Sequence, residues 1–234
     1  MTLKARTHRP TAFQALFFLA VQSSLVLHPA PALALGAGGA SLPDFWDFSE
    51  DVQNDQADVV RGVYVPSVLA LPIIQQPAAS AGYVSSKEGE ITQFGMAAQY
   101  GNVGLLAHNH LSGKLFSDLD PGQEVRLVYG DGRVEYFVVT QILQYQALEP
   151  TSQHSSFRDL NTGEELTAGQ LFKQVYGGER HVTFQTCIAN SESPSWGRLF
   201  VIAVPREQYG YGNLFGVMPG RYEMMNQFEA MPNR

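Results

Sequence analysis

The chain has 234 residues, enough for one domain with a sizeable core and too few for two domains joined by linkers. Hydrophobic residues make up 44% and charged residues 16%, with 22 glycines and 13 prolines, which favours a turn-rich β protein over a helical bundle or a disordered chain. Acidic side chains outnumber basic ones 22 to 15, a balance unsuited to nucleic-acid binding, which rests on neutralising phosphates, and one that offers no polybasic membrane patch.

At the N-terminus, Lys4, Arg6 and Arg9 precede an apolar stretch from Phe13 to Leu27 that is interrupted by Gln14 and by Gln22, Ser23 and Ser24. Pro29 and Pro31 follow, and Ala32-Leu33-Ala34 supplies small residues for a cleavage site. Residues 1–34 therefore read as a signal peptide, and the protein is expected to be extracellular or at the cell surface. An uncleaved anchor is the alternative, although spanning a bilayer takes about 20 predominantly apolar residues and this run is shorter and split. Cleavage would leave 12 basic against 22 acidic side chains.

Residues 35–58 are rich in Gly, Ala and Asp with little periodicity, and read as a linker or irregular lead to a domain over residues 59–206. Val63, Val65 and Val68, broken by Pro66 and followed by Pro72-Ile73-Ile74, suggest two short strands separated by a bend. Thr92 to Ala98 is expected to be a short helical segment ending before Gly101. Gly104-Leu105-Leu106-Ala107 has the apolar character of a buried strand and delivers His108 at its end. Glu124 to Tyr129 and Val134 to Leu143 form a hairpin across Gly130-Asp131-Gly132, residues that tolerate the positive φ such turns demand.

Thr167 and Gln170 fit a capping box, and Ala168, Leu171, Phe172 and Val175 then make one apolar helix face, stopped at Gly177. Strands over Arg180 to Ile188 and Leu199 to Pro205 complete the domain. Six or more short strands with one or two short helices predict a mainly β fold, a closed or nearly closed β-barrel, with a β-sandwich as the alternative. Residues 207–234 form a tail rich in Tyr, Phe and Met whose role the sequence does not indicate.

Cys187 is the one cysteine, so it makes no internal disulfide. It is an inert buried thiol, a site of intermolecular pairing or a reactive nucleophile. Strand parity puts Val182, Phe184 and Ile188 on one face and His181, Thr183, Gln185 and Cys187 on the other, so the cysteine shares the polar set. That favours the nucleophile.

Thr183-Phe184-Gln185-Thr186-Cys187 resembles the Thr-Leu-x-Thr-Cys signature of sortases, with Phe184 in the Leu position. Arg198 follows eleven residues after the cysteine, in Trp196-Gly197-Arg198-Leu199-Phe200-Val201-Ile202-Ala203, similar to the last strand of that family. Gly104 to Asn109 resembles its strand-end histidine segment, with Ala107 where Gly is usual, and Leu115-Phe116-Ser117-Asp118-Leu119 with Gly122 also matches. The resemblance runs from about Val63 to Pro205 and rests on three separated motifs in the right order.

The resemblance implies a sortase-like barrel and a cysteine transpeptidase in which Cys187 attacks a peptide carbonyl, His108 exchanges the proton with the leaving amine and Arg198 stabilises the tetrahedral oxyanion. It further implies that Thr186, Phe157 and Leu160 contact substrate, that the partners are a sorting-signal peptide of surface proteins and an amine acceptor on the cell wall or another protein, and that no cofactor is needed. A non-catalytic surface module on the same fold and a peptide hydrolase are the competing readings. His110 competes with His108, and the His-x-His pair lacks a nearby cysteine or carboxylate motif to complete a metal site. His154 and His181 are expected in loops or on the surface.

Overall fold

The computed structural model describes residues 41–152 and 154–214. Along it run α1 (Phe45–Val52), β1 (Val60–Val65), β2 (Leu69–Gln75), β3 (Ile91–Phe94), α2 (Gly95–Ala98), β4 (Val103–Leu106) and a 3-10 helix (Ser112–Asp118). These are followed by β5 (Glu124–Tyr129), β6 (Val134–Ala147), β7 (Phe157–Asp159), β8 (Glu165–Leu166), α3 (Ala168–Tyr176), β9 (Val182–Ile188), β10 (Gly197–Pro205) and α4 (Arg206–Leu214).

The strands form one sheet in the order β10-β9-β4-β3-β2-β1-β5-β6-β7-β8, and β6 also pairs with β10. That second pairing closes eight strands into a barrel, which is the expected fold and not the sandwich. Long β6 makes closure possible by serving three neighbours in succession: β5 at its start, β10 along its middle and β7 at its end. A closed barrel leaves no free edge in those eight strands, and the β7–β8 hairpin extends from the end of β6.

Alternation fills the barrel. Val63, Val65, Leu71, Ile73, Leu105, Leu127, Phe137, Val182, Phe184 and Val201 are among the fully or almost fully buried members of one central cluster. Burial of each such side chain stabilises the fold by about 1.5–3 kcal/mol before conformational entropy is counted. On the outer face α3 covers β9, β10 and β6, where Leu171, Val175 and Tyr176 pack with Ala97, Tyr145 and Phe200. The capping box of α3 forms as expected, with the Thr167 hydroxyl receiving the Gln170 N–H.

Three expectations are corrected. Part of the 35–58 lead is not irregular: α1 is capped by the Asp44 carboxylate, which accepts the Trp46 N–H at 2.8 Å, and buries Phe45, Phe48 and Val52 against Tyr64, Ala70 and Val128. The helix lies close because Gly62 has no side chain; a Cβ there would stand 2.9 Å from both Phe48 and Val52. Eight residues carry too short a pattern to stand out from their Gly- and Ala-rich surroundings. The 92–98 segment divides, its first half pairing with β4 as β3 (Thr92 opposite Leu106) and its second half turning as α2. β9 begins at Val182, not Arg180, because the Arg180 guanidinium is drawn to Glu135, Tyr129 and the Gly101 carbonyl.

The 1–34 segment and the aromatic and Met-rich residues from Phe215 to Met231 lie outside the described residues. The tail does begin in a helix, α4, whose Arg206 reaches Glu124 at 3.1 Å. Among the described residues no helix is long and apolar enough to cross a membrane.

Candidate active site

The alternation along β9 sends Val182 and Phe184 into the barrel and Thr183, Gln185 and Cys187 to the outer face. That outer face is not a solvated one. α3 lies over it, and the end of the helix satisfies its polar groups: the Thr183 hydroxyl donates to the Val175 carbonyl, and the Tyr176 hydroxyl donates to the Gln185 side chain. Complete burial pushes the Tyr176 phenol far above its usual value, which keeps it a neutral donor. His181, expected at the surface, is buried at 7% exposure with its ring nitrogens facing the Glu179 and Val175 carbonyls. His154 is exposed.

Cys187 is a half-buried free thiol near the open end of this face. In the antiparallel β9–β10 ladder, Arg198 is its direct partner. In the parallel β4–β9 ladder, Leu106 is level with Gln185, and the Ala107 N–H donates to the Gln185 carbonyl at 3.3 Å. β4 ends at Leu106, and that register continued by two residues would bring His108 level with Cys187. The ladder thus sets Cys187 beside Arg198 on paired strands, and the chain past the end of β4 carries His108 toward the same row. The His108 ring is stacked on that of His110 with centroids 5.5 Å apart, His108 half-buried and His110 exposed.

The backbone under this row is held from inside. Leu111 and Gly113 both donate to the His108 carbonyl at 3.0 Å. The Thr186 hydroxyl, buried at 5% exposure, donates to the Ala107 carbonyl at 2.8 Å and so links the residue before the cysteine to the residue before the histidine. Gly113 permits this knot, since a Cβ there would overlap Thr186 Oγ1 and lie 2.7 Å from the carbonyl oxygens of Ala107 and His108.

Arg198 is half-buried and has no carboxylate partner among the described residues. Its Nη1 donates to the carbonyls of Ser195 at 3.0 Å and Gly197 at 2.8 Å, and its guanidinium carbon stands 5.9 Å from the centre of the Phe157 ring. Phe157 itself packs on the α3 cluster.

A cleft of about 480 Å³ opens beside the thiol, lined by Cys187, Thr186, Leu160, Trp196, Leu199 and Asn109 among others. Of the three residues expected to meet substrate, Leu160, at 41% exposure, and Thr186 line the cleft, whereas Phe157 does not. Among the described residues no group of three or more His, Cys, Asp or Glu is placed to hold a metal. A half-buried thiol whose ladder partner is an arginine without a carboxylate partner among the described residues, with a histidine just past the end of the neighbouring strand, brings together residue types suited to nucleophilic attack on a carbonyl. The sequence motifs carry Asn109 only as the end of the histidine segment, and none of them points to a role for Gly113 or Tyr176. A glycine inside a segment that otherwise turns as a helix was a usable signal for Gly113.

No protein-family model matches the chain, and no curated protein matches it in sequence. Solved structures similar to it in fold include Listeria monocytogenes sortase A, at 16% identity over 63% of this chain and 87% of that one, with a TM-score of 0.40. They also include a Clostridium perfringens sortase D5 transpeptidase, at 12% identity over 68% and 87% of the two chains with a TM-score of 0.40. A third is sortase C-1 from Actinomyces oris, at 12% identity over 74% and 87%, with a TM-score of 0.42.

Proposed function

We propose that the protein is an exported cysteine transpeptidase of sortase type, acting on a sorting-signal peptide and an amine acceptor at the cell surface. The observation that carries this reading is the pairing of Cys187 with Arg198 on β9 and β10, with His108 two residues past the end of β4, the strand on the other side of β9; the three come from motifs 79 and 11 residues apart.

In this reading the Cys187 thiolate attacks a peptide carbonyl that enters from the cleft, and the C–N bond breaks as His108 gives its proton to the leaving amine. The tetrahedral oxygen carries negative charge between attack and collapse. Arg198 faces that charge with guanidinium N–H groups other than the Nη1 held by Ser195 and Gly197. The thioester is then resolved by an acceptor amine, which returns a proton to His108 as the Cys187 sulfur leaves as thiolate, restoring the starting pair. Thr186 supports both neighbours by its bond to the Ala107 carbonyl, and Leu160 meets an apolar side chain of the peptide.

The test is mass spectrometry of the full chain incubated with a panel of surface-protein sorting peptides. A covalent adduct on Cys187 that converts to ligated product on addition of an amine supports the transpeptidase. Conversion to free acid alone, with amine present, would make the protein a hydrolase. Absence of any adduct, with labelling of Cys187 no faster than that of a free thiol, would make it a non-catalytic module.

A further inference from the structure

The connection between β9 and β10 carries the turn that holds Arg198, and most of its hydrogen bonds are internal. The Asn190 side chain accepts the N–H groups of Glu192 and Ser193, Asn190 donates to the Ser193 carbonyl, and Ser195 donates to the Ser193 hydroxyl. These bonds give the turn its own shape, and where it meets β10 the Ala147 N–H donates to the Trp196 carbonyl at 2.9 Å. One side-chain bond ties it to another element among the described residues: the Asn109 amide donates to the Pro194 carbonyl at 3.0 Å, across 85 positions of chain.

Both ends of that bond adjoin the reacting groups. Asn109 is the residue after His108, whose carbonyl is pinned by Leu111 and Gly113. Pro194 is the residue before Ser195, whose carbonyl holds the Arg198 guanidinium at 3.0 Å. Asn109 also lines the cleft beside Cys187. The bond therefore closes a loop from the histidine side of the cysteine to its arginine side without passing through the strand that carries the cysteine.

We infer that Asn109 is a positioning residue that fixes the spacing between His108 and Arg198 across Cys187. The inference rests on the acyl-transfer reading above and gives a task to a residue that the histidine motif contains but to which it assigns no role. Its chemistry is specific. An amide at this position donates to Pro194, whereas a carboxylate of the same shape can only accept and would repel the carbonyl.

The experiment follows alkylation of Cys187 by iodoacetamide, which needs no peptide substrate, over a range of pH in the full chain and in the variants Asn109→Asp, Asn109→Ala, His108→Ala and Arg198→Ala. Both Asn109 variants are expected to keep the thermal midpoint of the parent, to slow alkylation at neutral pH about tenfold, and to move the rate-against-pH curve toward those of the His108 and Arg198 variants. A merely structural role for the bond would lower the midpoint and leave the curve in place, and that result would overturn the inference. Parent-like curves in both Asn109 variants, with the His108 or Arg198 variant displaced, would overturn the positioning role alone. Parent-like curves in all four would overturn the acyl-transfer reading and the positioning role with it.

Discussion

Arg198 and Cys187 are direct partners in the β9–β10 ladder, so their side chains leave the same face of the sheet at adjoining positions. Directly opposed residues of an antiparallel pair have Cβ atoms about 4.5–5.5 Å apart. A long side chain at that distance is near enough to meet a group bound at the thiol. Arg198→Lys keeps the charge but loses the fork, one arm of which is held by two carbonyls while, in the proposed mechanism, the rest meets the oxyanion. Turnover in Arg198→Lys is expected to fall about 10²–10³-fold, with an unchanged thermal midpoint. Near-parent steady-state rates in that variant would reduce Arg198 to a structural residue.

The two histidines next to the cysteine strand are separable by substitution. Cys187→Ala is expected to abolish acyl transfer and leave the fold intact, because the half-buried sulfur lies outside the three apolar clusters. His108→Ala should lose nearly as much, and His110→Ala, which removes an exposed ring stacked on the first, far less. Steady-state kinetics on all three checks the ranking, and a more damaged His110 variant would reverse the assignment.

The knot behind the site predicts a stability effect coupled to activity. Gly113→Ala forces a methyl group against Thr186 Oγ1 and the carbonyls of Ala107 and His108, and is expected to cost about 1–3 kcal/mol, as overpacking does. Thr186→Val removes the donor and leaves the buried Ala107 carbonyl unpaired, at a cost of about 1–3 kcal/mol. Urea unfolding measures both. Each variant should also lose turnover, since the displaced backbone is that of His108. An undiminished unfolding free energy in Gly113→Ala would show that the 3-10 helix moves aside freely.

Leu160 and Phe157 should behave differently although both lie on the long connection between β6 and β9. Leu160 lines the cleft, so Leu160→Ala should shift the preference among peptides that differ by a methylene by about 1–3 kcal/mol at most. Phe157 sits against the α3 cluster near the Arg198 guanidinium, so Phe157→Ala should lower kcat for every peptide by a similar factor. Measurement of kcat/KM over a peptide panel separates the two. A changed preference in Phe157→Ala, with Leu160→Ala neutral, would place the specificity wall on the other side of the connection.

Glu135 predicts a pH-dependent contribution to stability. Burial raises its carboxyl, but hydrogen bonds from Arg180 and Arg133 outweigh that and hold it below the usual carboxylate range. A carboxyl depressed in the folded state stabilises above its unfolded value, and the contribution is lost as pH falls through the folded value. With partly exposed partners the gain is about 0.5–1 kcal/mol. Glu135→Gln should therefore be less stable than the parent at neutral pH, and the two denaturation curves should converge below about pH 4. A constant gap down to pH 3 would show that the charge is not what stabilises the pair.

Where a residue's environment is set by its near neighbours in sequence, the chain itself was sufficient. The β5–β6 hairpin follows from two β-branched runs around Gly130-Asp131-Gly132, and α3 follows from a capping box and an apolar stripe. The order of the histidine, cysteine and arginine motifs was equally legible, because each is a short contiguous string. Tertiary structure decided what depends on contacts between distant segments. Closure of the barrel required β6 to meet β10 some 60 residues on, and no local pattern encodes that meeting. α1 became a helix only by burying three side chains on the outside of the barrel. The face of β9 that alternation marked as polar became an interior one, because α3 supplies carbonyls that accept its hydrogen bonds. The positions of Gly113 and Asn109 beside the row belong to the same class: a clash avoided and a bond made are properties of two segments at once, and neither is written in the local sequence of one.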